Sequence, residues 1–402
     1  MRSAPPVSLL LPTRNRPELC ALAVEAALRG LGPDDELVLA DNGDAPLDLP
    51  APSSSDPRLR HLRPDPRPLS MPDNWERALQ AARGEWLLLL ADKYMLVPGA
   101  LAALRRRLDA QPSLRLATYG YAVLRQALPP GRDRDPVELR ARGGELRWPA
   151  NLGETDVRGA RAQFAALYAT LSYPRRHPML YTALVHRDVI AAGLRRGRYF
   201  VGSCPDVASA AQLLAACDAY LDTHLPLVMV QYPGEAAAWS TGAATVAGAD
   251  LSRRFFGELG DAGRREPIER LVAGAILETL VAFAAARPDL AESTRVSWGE
   301  FAKQAAREIE ALPLLSRPAW HLRLLDYLRR RGALTPGVAY AQARTACASH
   351  LPRGLLAHLL AWRRRAFRDA PAPDFVLPVT QAEVTTRDEA LARLAALVAD
   401  HA

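Results

Sequence analysis

Short apolar runs alternate with amphipathic stretches over the first 110 residues of the chain. Four runs have the length and pattern of strands: Val7–Leu11, Glu36–Ala40, Arg58–Arg63 and Trp86–Ala91. Three helical stretches separate or follow them, each with a proline in its first turn: 17–30, 72–83 and 98–110. Strands that alternate with helices build an open, mostly parallel sheet covered by helices, so the pattern predicts an α/β domain.

The hydrophobic pattern changes twice further along the chain. Residues 112–250 are less regular and contain several loop-forming stretches. From residue 251 the sequence is almost entirely helix-forming, with leucine, alanine and arginine at helical spacing. We therefore predict two halves of one α/β domain and a helical C-terminal domain: residues 1–110, 111–250 and 251–402.

Polar residues interrupt the pattern where the predicted strands end. Residues 12–17 follow the first strand, residues 41–43 (Asp-Asn-Gly) follow the second, and residues 92–94 (Asp-Lys-Tyr) follow the fourth. Such residues are also common in ordinary turns. Open parallel sheets bind ligands at the carboxyl ends of their strands, and three polar segments at equivalent ends favour a ligand site.

Several segments resemble family-two glycosyltransferases with the GT-A fold. In chain order these are VSLLLPTRNRPEL, ELVLADNG and GEWLLLLADKYMLVPGAL. LSMPDNWERALQAARGEW resembles a subgroup with a Met-Pro/Ser-Asp-Asn-Trp element, and PDVASAAQLLAACDAYLDTHLPLV and WSTGAA resemble its acceptor half. The resemblance implies a Rossmann-like sheet between helices, and the transfer of a sugar from a nucleoside diphosphate to an acceptor hydroxyl with inversion.

The same resemblance implies a donor site in the first half of the domain. Thr13 and Asn15 would line the nucleotide pocket, with Arg14 and Arg16 at its rim. Asp41 would accept a hydrogen bond from the base, since the imide N–H of uracil needs an acceptor. UDP-linked or dTDP-linked sugars are the donors that the resemblance implies.

The Met-Pro-Asp-Asn-Trp element begins a predicted helix and leaves two interpretations open. Asp73 and Asn74 either reach the donor or cap the helix, because side-chain oxygens in a first turn accept backbone N–H groups, and Asp73 also suits a first-turn acid that complements the helix dipole. Trp75 is expected to pack rather than to bind, since it lies at helical spacing from Leu79.

By the resemblance, the catalytic base is a carboxylate at the start of a helix in the acceptor half. Asp206 matches that position, although an aspartate there also suits an N-cap. His177 and His186 are alternative bases. The acceptor is unidentified, and three residues are expected to contact it: Tyr181, Trp239 and Ser240.

The sequence departs from the family at the metal site. Family-two enzymes carry an acidic cluster after the apolar strand, and a later Asp of it binds Mg²⁺ or Mn²⁺. Here the cluster reads Asp92-Lys93-Tyr94, and neither Lys93 nor Tyr94 is a ligand for these ions. We therefore expect no metal cofactor, with Asp92 at the donor and Lys93 supplying positive charge to the diphosphate. The alternative is a degenerate site that binds a nucleotide sugar, glycan or partner without turnover.

The chain carries 51 basic and 44 acidic residues, a net charge of +7, and Lys93 and Lys303 are its two lysines. No nucleic-acid motif accompanies this charge, so no nucleic-acid partner is expected. The arginine-rich stretches 325–331 and 359–368 are either solvated faces of packed helices or surfaces for peripheral membrane contact.

Cysteine spacing and hydropathy bear on the location of the protein. Four widely spaced cysteines indicate neither a zinc site nor a disulfide framework. The longest later apolar stretch, residues 272–286, is interrupted by Glu278, so no membrane-spanning helix is expected. We expect a cytoplasmic protein, with the inner face of the membrane as the alternative location.

Overall fold

The computed structural model divides the chain into two compact units. Unit 1 comprises Met1–Ala165, Arg176–Ala238 and Leu377–Ala402, and unit 2 comprises Ala166–Arg175 and Trp239–Val376. The structure describes these residues: 7–63, 66–126, 143–171, 177–193, 198–233, 266–310, 312, 314–339, 342 and 379–401.

Unit 1 contains one mixed sheet of eleven described strands. The strands are β1 (Val7–Thr13), β2 (Glu36–Asp41), β3 (Leu59–Leu62), β4 (Trp86–Leu89), β5 (Tyr94–Leu96), β6 (Leu116–Gln126), β7 (Gly144–Pro149), β8 (Thr155–Gly159), β9 (Ala183–His186), β10 (Ala219–Pro233) and β11 (Val379–Val384). The main path runs β11-β7-β6-β9-β4-β1-β2-β3, and β10 pairs with β5, β6 and β8.

The described residues of the two units form ten α-helices. They are α1 (Pro17–Gly30), α2 (Met71–Ala81), α3 (Ala100–Asp109), α4 (Ala160–Thr170), α5 (Arg187–Gly193), α6 (Pro205–Ala216), α7 (Val272–Ala286), α8 (Trp298–Glu310), α9 (Arg317–Arg330) and α10 (Arg387–Asp400). The α/β class expected from the sequence is confirmed: strands β4, β1, β2 and β3 are parallel neighbours, and helices cover the sheet.

Successive side chains of a strand point to opposite faces, and both faces of β1, β2 and β4 are buried, whereas β3 at the end of the sheet is half-buried. Leu9 and Leu11 of β1 share one core with apolar residues of α1, α3 and α10. Leu10 points the other way and is also fully buried, and α2 packs on β1 and β2. Burial on both faces explains why these strands read as continuous apolar runs.

The structure differs from the sequence prediction at the end of the chain. The expected helical domain included residues 379–384, which instead form β11 and pair antiparallel with β7. The following helix α10 contributes Leu391 and Leu394 to the core of the sheet unit. Backbone pairing with a distant strand decides this placement, and the local hydrophobic pattern does not encode it.

In its described part, unit 2 is helical, as the pattern from residue 251 predicts. Helix α7 has no side-chain cap of its own, and the carboxylate of Glu308 on α8 accepts the N–H groups of Val272 and Ala273 at 2.8 and 2.7 Å. Burial raises the pKa of Glu308, and these two hydrogen bonds oppose that shift. One carboxylate therefore satisfies two of the open N–H groups at the start of α7.

The arginines at the end of α9 pair with acidic residues. Arg329 lies 2.9 Å from Asp326, Arg331 lies 2.9 Å from Glu269, and Arg330 pairs with Asp326 and with Glu266. These pairs fit a solvated helix face, while the second stretch, 359–368, lies outside the described residues. None of the described helices combines the length and the apolar character that crossing a bilayer requires.

Candidate functional site

The three polar segments meet at the carboxyl edge of the parallel strands. Thr13 ends β1 opposite Asp41 of β2, and its hydroxyl donates to Asp92 Oδ2 at 3.2 Å. Asp92 follows β4, which lies on the other side of β1. The equivalent positions expected from the sequence are therefore neighbours in space, as parallel strands require.

Two cations surround the Asp92 carboxylate. Arg16 donates from NH1 to Asp92 Oδ1 at 3.1 Å, and the Asp92 side chain is only 9% exposed. Burial lowers the pKa of Lys93, the charge of Arg16 lowers it further, and Asp92 opposes both effects. Arg16 and Lys93 are therefore the two cations beside the Asp92 carboxylate.

Asn15 and Arg14 face the loop after β2. The Asn15 amide donates to Asp44 Oδ2 and its oxygen accepts the Asp44 N–H, both at 2.9 Å. Arg14 NH2 lies 3.7 Å from Asp44 Oδ1. Asn15 has a positive φ of 53°, a conformation that asparagine tolerates better than most residues. These contacts hold the β1 and β2 loops together, and contact with a donor stays a prediction.

Asp41 shapes the same loop. It is 2% exposed, and its two oxygens accept the N–H groups of Gly43 at 2.9 Å and Leu47 at 2.7 Å. His61 Nε2 also lies 3.5 Å from Asp41 Oδ2. Recognition of the base by Asp41, expected from the resemblance, is untested and has to compete with these existing contacts.

Residues 73–76 of α2 bridge several segments of unit 1. Ser70 is the N-cap, accepting the Asp73 N–H at 3.2 Å, so neither Asp73 nor Asn74 caps the helix. The Asp73 carboxylate pairs with Arg198, and Asn74 donates to the Ala40 carbonyl at 3.0 Å. Side-chain capping by Asp73 or Asn74 is therefore wrong, whereas Asp73 is an acid in the first turn of α2, as the dipole interpretation expects. Donor contact by either residue stays a prediction.

The next two residues of α2 hold the segment that leads to Asp206. Glu76 Oε2 accepts the N–H groups of Tyr199 and Phe200 at 3.0 and 3.1 Å. The Trp75 ring meets the Phe200 ring edge to face, with centroids 5.6 Å apart. Packing was expected for Trp75, but the buried role of Glu76 has no signal in the sequence, where it resembles a surface helix acid.

Asp206 lies in the first turn of α6. The N-cap is Cys204, whose carbonyl accepts the Ala208 N–H at 2.9 Å, so the N-cap interpretation of Asp206 is wrong. The Asp206 carbonyl accepts the Ser209 hydroxyl at 2.7 Å, and its Oδ1 accepts the Val207 N–H at 2.9 Å. A carboxylate in a first turn is stabilised as an anion by the helix dipole.

Tyr181 connects Asp206 with the Lys93 turn. Its ring lies 6.3 Å from the ring of Tyr94, the residue after Lys93. Burial raises the pKa of Tyr181, and the next largest cause is the nearby charge of Asp206. Tyr94 begins β5, a short strand that the sequence pattern does not predict, and its aromatic contact with Tyr181 emerges only in three dimensions.

The two alternative bases occupy other surroundings. His186 pairs in register with Trp86, the first residue of β4, whereas Asp92 follows the other end of that strand. His177 is 2% exposed, and desolvation lowers its pKa to about 4. Trp239 and Ser240, expected at the acceptor, lie outside the described residues.

The residues at this edge do not fit a divalent metal ion. Among the described residues no group of three or more His, Cys, Asp or Glu side chains is arranged to hold a metal. The one carboxylate of the expected cluster, Asp92, already accepts from Thr13 and Arg16 and lies beside Lys93. Mg²⁺ and Mn²⁺ prefer several oxygen ligands and are repelled by a neighbouring ammonium group.

Comparisons with known proteins find solved structures that are similar to this chain. No protein-family model matches the sequence, and no curated protein does either. TarS 1-349 from S. aureus in complex with UDP-GlcNAc is 13% identical, with a TM-score of 0.43, over 95% of this chain and 97% of that one. The same protein with UDP is 12% identical, with a TM-score of 0.40 over the same shares.

A third similar structure is the mannosyltransferase PcManGT from Pyrobaculum calidifontis in complex with GDP-Man and Mn²⁺. It is 13% identical, with a TM-score of 0.36, over 92% of this chain and 89% of that one. These TM-scores and identities are too low to support an argument about function, which has to come from the side chains of this chain.

Proposed function

We propose that this chain is an inverting glycosyltransferase that moves a sugar from a nucleoside diphosphate to an acceptor hydroxyl without a metal ion. The observation that carries the proposal is the common neighbourhood of Asp206 and Lys93. The Ser209 hydroxyl joins the Asp206 carbonyl to the N–H of Leu180, the residue before Tyr181, and the Tyr181 ring meets that of Tyr94, the residue that follows Lys93. A carboxylate and a cation near one another are what such a displacement needs.

Lys93 and Arg16 supply the positive charge for the departing diphosphate. Negative charge grows on the leaving oxygen as the bond to the anomeric carbon breaks, and a cation in a partly buried site stabilises it. Thr13 and Arg16 both bond to Asp92, so Asp92 offsets Arg16 and fixes the turn that carries Lys93. Thr13, Arg14, Asn15, Asp41, Asp73 and Asn74 remain the proposed donor-side residues.

Asp206 takes the proton from the acceptor hydroxyl. The oxygen that loses this proton attacks the anomeric carbon from the face opposite the diphosphate, so the configuration inverts. His177 is a poorer candidate, because it is 2% exposed and so is shielded from an acceptor hydroxyl. UDP-linked and dTDP-linked sugars are the proposed donors, and the acceptor is unidentified.

A second candidate function is binding of a nucleotide sugar, glycan or partner without turnover. The observation that favours it is the segment Asp92-Lys93-Tyr94, which lacks the acidic cluster that a metal-dependent family-two enzyme is expected to carry. If the chain is a transferase, turnover of a bound donor depends on Asp206. If the chain only binds, a bound donor is not turned over with or without Asp206.

Calorimetry with nucleotide sugars tests the donor site. The panel contains UDP- and dTDP-linked sugars, with UDP-GlcNAc and GDP-Man among the probes, each with and without EDTA. Lys93→Ala should weaken binding about 10- to 100-fold, since hydrogen bonds to charged groups are worth about 1.5–3 kcal/mol. Lys303→Ala is the matched control, because Lys303 is exposed and pairs with Glu300 in unit 2.

The pH dependence of donor binding gives an independent test of Lys93. Its pKa is lowered from the usual 10.5, so binding should weaken as the pH rises through an alkaline value below 10.5, where the ammonium loses its proton. Lys93→Ala should lack this loss. Donor binding that is equal in Lys93→Ala and parent, or turnover that EDTA abolishes, would refute the metal-independent mechanism.

The role of Asp206 is tested by turnover. Asp206→Asn should bind the donor as the parent does and lose hydrolysis and transfer by about 100-fold or more, because it cannot accept the proton. If the parent binds a donor and both proteins are inert with every acceptor tried, the non-catalytic function is favoured.

A further inference from the structure

An aromatic cluster borders Asp206 in unit 1, and we define it as Trp75, Tyr94, Tyr121, Tyr181 and Phe200. The Tyr181 ring lies 6.2 Å from Trp75 and 6.3 Å from Tyr94, and Trp75 lies 5.6 Å from Phe200. These are edge contacts, with interplanar angles of 83°, 66° and 84°. Edge packing fixes these rings; Phe200 is fully buried, whereas Trp75, Tyr94 and Tyr181 stay partly exposed.

Tyr121 is the exposed member of the aromatic cluster. It lies on β6 opposite Val228 of β10, while Tyr94 lies on β5 opposite Val230, so the two tyrosines are on the strands to either side of β10. Tyr121 is 47% exposed, which is unusual for a large aromatic side chain. The negative charges of Asp206 and of an ionised Tyr121 both raise the pKa of Tyr181.

A buried hydrogen bond supports the cluster from below. The Tyr119 hydroxyl donates to the Tyr181 carbonyl at 2.7 Å, and Tyr119 is 6% exposed. The Tyr119 N–H donates to the Thr182 carbonyl at 3.1 Å. These two bonds anchor the backbone at residues 181 and 182, so the aromatic surface near Asp206 is preorganised.

The chemistry of this surface selects a class of ligand. A pyranose ring has an apolar face of C–H groups and a rim of hydroxyls, and it can place that face on an aromatic ring while a hydroxyl reaches a carboxylate. Phenol groups and Asp206 offer hydrogen-bond partners at the edge of the same surface. Under the proposed function the donor diphosphate neutralises Lys93 and Arg16, so Asp206 is the charge that faces the acceptor, and it would repel an anionic one.

We propose that the aromatic cluster is the acceptor subsite and that it binds a neutral carbohydrate ring, with Tyr121 as its exposed stacking residue. The proposal rests on the proposed function for the assignment of Asp206 as base, and it adds the chemical class of the acceptor. It also gives Trp75 a second task besides packing, as one wall of the site.

Saturation-transfer NMR with simple methyl glycosides tests the subsite in the full chain. The probes are the methyl glycosides of glucose, galactose, mannose, N-acetylglucosamine and rhamnose, with choline and a prolyl peptide as alternatives. We expect signal on the ring C–H protons of at least one glycoside. Tyr121→Ala should weaken this binding about fivefold to tenfold, and Tyr121→Phe should retain it, since the ring face remains.

Val157→Ala is the matched control, since Val157 is 52% exposed on β8 of the same unit and lies outside the aromatic cluster. No glycoside signal with the parent, equal binding by Tyr121→Ala, or preference for choline or the peptide would each overturn the proposal. Calorimetry with UDP-GlcNAc on the same samples separates the two claims. Donor binding without glycoside binding defeats this inference alone, and glycoside binding without any donor binding defeats the transferase.

Discussion

Glu76→Ala should lower the free energy of unfolding of unit 1 by about 2–5 kcal/mol. Glu76 is 7% exposed, and its Oε2 accepts the N–H groups of Tyr199 and Phe200, both fully buried. Truncation leaves two buried donors unpaired, and each unpaired group costs about 1–3 kcal/mol. The segment from residue 198 to Asp206 should loosen first, because these bonds hold it to α2.

Two matched variants separate this effect from a general loss of helix stability. Glu76→Gln keeps a side-chain oxygen that can accept both N–H groups, so it should cost about 1 kcal/mol, the difference between a charged and a neutral acceptor. Glu25→Ala removes a surface acid that pairs with Arg29 within α1, and it should cost no more than about 0.5 kcal/mol.

Urea unfolding combined with hydrogen exchange measures the change. Exchange of the amides at residues 199 and 200 should accelerate strongly in Glu76→Ala, and only slightly in Glu76→Gln. The reasoning is refuted if Glu76→Ala unfolds like the parent, or if Glu76→Gln is as unstable as Glu76→Ala, because the hydrogen bonds would then contribute nothing specific.

Three further predictions concern other charged or capping groups. Burial raises the pKa of Glu308 above its usual 4.5, so ionisation of Glu308 opposes folding. The free energy of unfolding should therefore increase as the pH falls from above this raised pKa toward 4.5. Urea unfolding of Glu308→Gln over the same pH range should lack this increase. Arg158→Ala should lower the free energy of unfolding, measured by heat or urea, by about 2–4 kcal/mol. Asp222 is 3% exposed and lies 2.5 Å from Arg158, so the variant would keep a buried charge without its cation. A loss equal to that of Arg161→Ala would contradict this. Thr386→Ala should cost about 1 kcal/mol and Thr386→Ser almost nothing, since this hydroxyl caps α10; equal stabilities would rule out the cap.

The local pattern of the sequence predicts most of the parallel sheet and of the helices. Leu9, Leu10 and Leu11 are buried on alternating faces, and a continuous apolar run is the signature of a strand covered on both sides. The polar segments at 12–17, 41–43 and 92–94 follow from the same pattern, because parallel strands end at one edge. Their meeting place was therefore predictable from sequence order alone.

Other features depend on residues that are distant in the chain. Strand β11 forms only because β7 offers a free edge, and no periodicity at residues 379–384 announces it. Glu76 reads as a surface acid and is buried by a segment more than 120 residues away. Local propensity is weak for such elements, and pairing or burial by a distant partner decides them.

The sequence by itself determined that this protein has an α/β sheet and that its polar segments gather at one edge. Only the tertiary structure decided that Asp206 and Lys93 flank one aromatic cluster, and that Asp73 and Asp206 are not helix caps. The physical reason is range: hydrophobic period and turn chemistry act between near neighbours, whereas ring packing and buried hydrogen bonds join residues that only folding brings together.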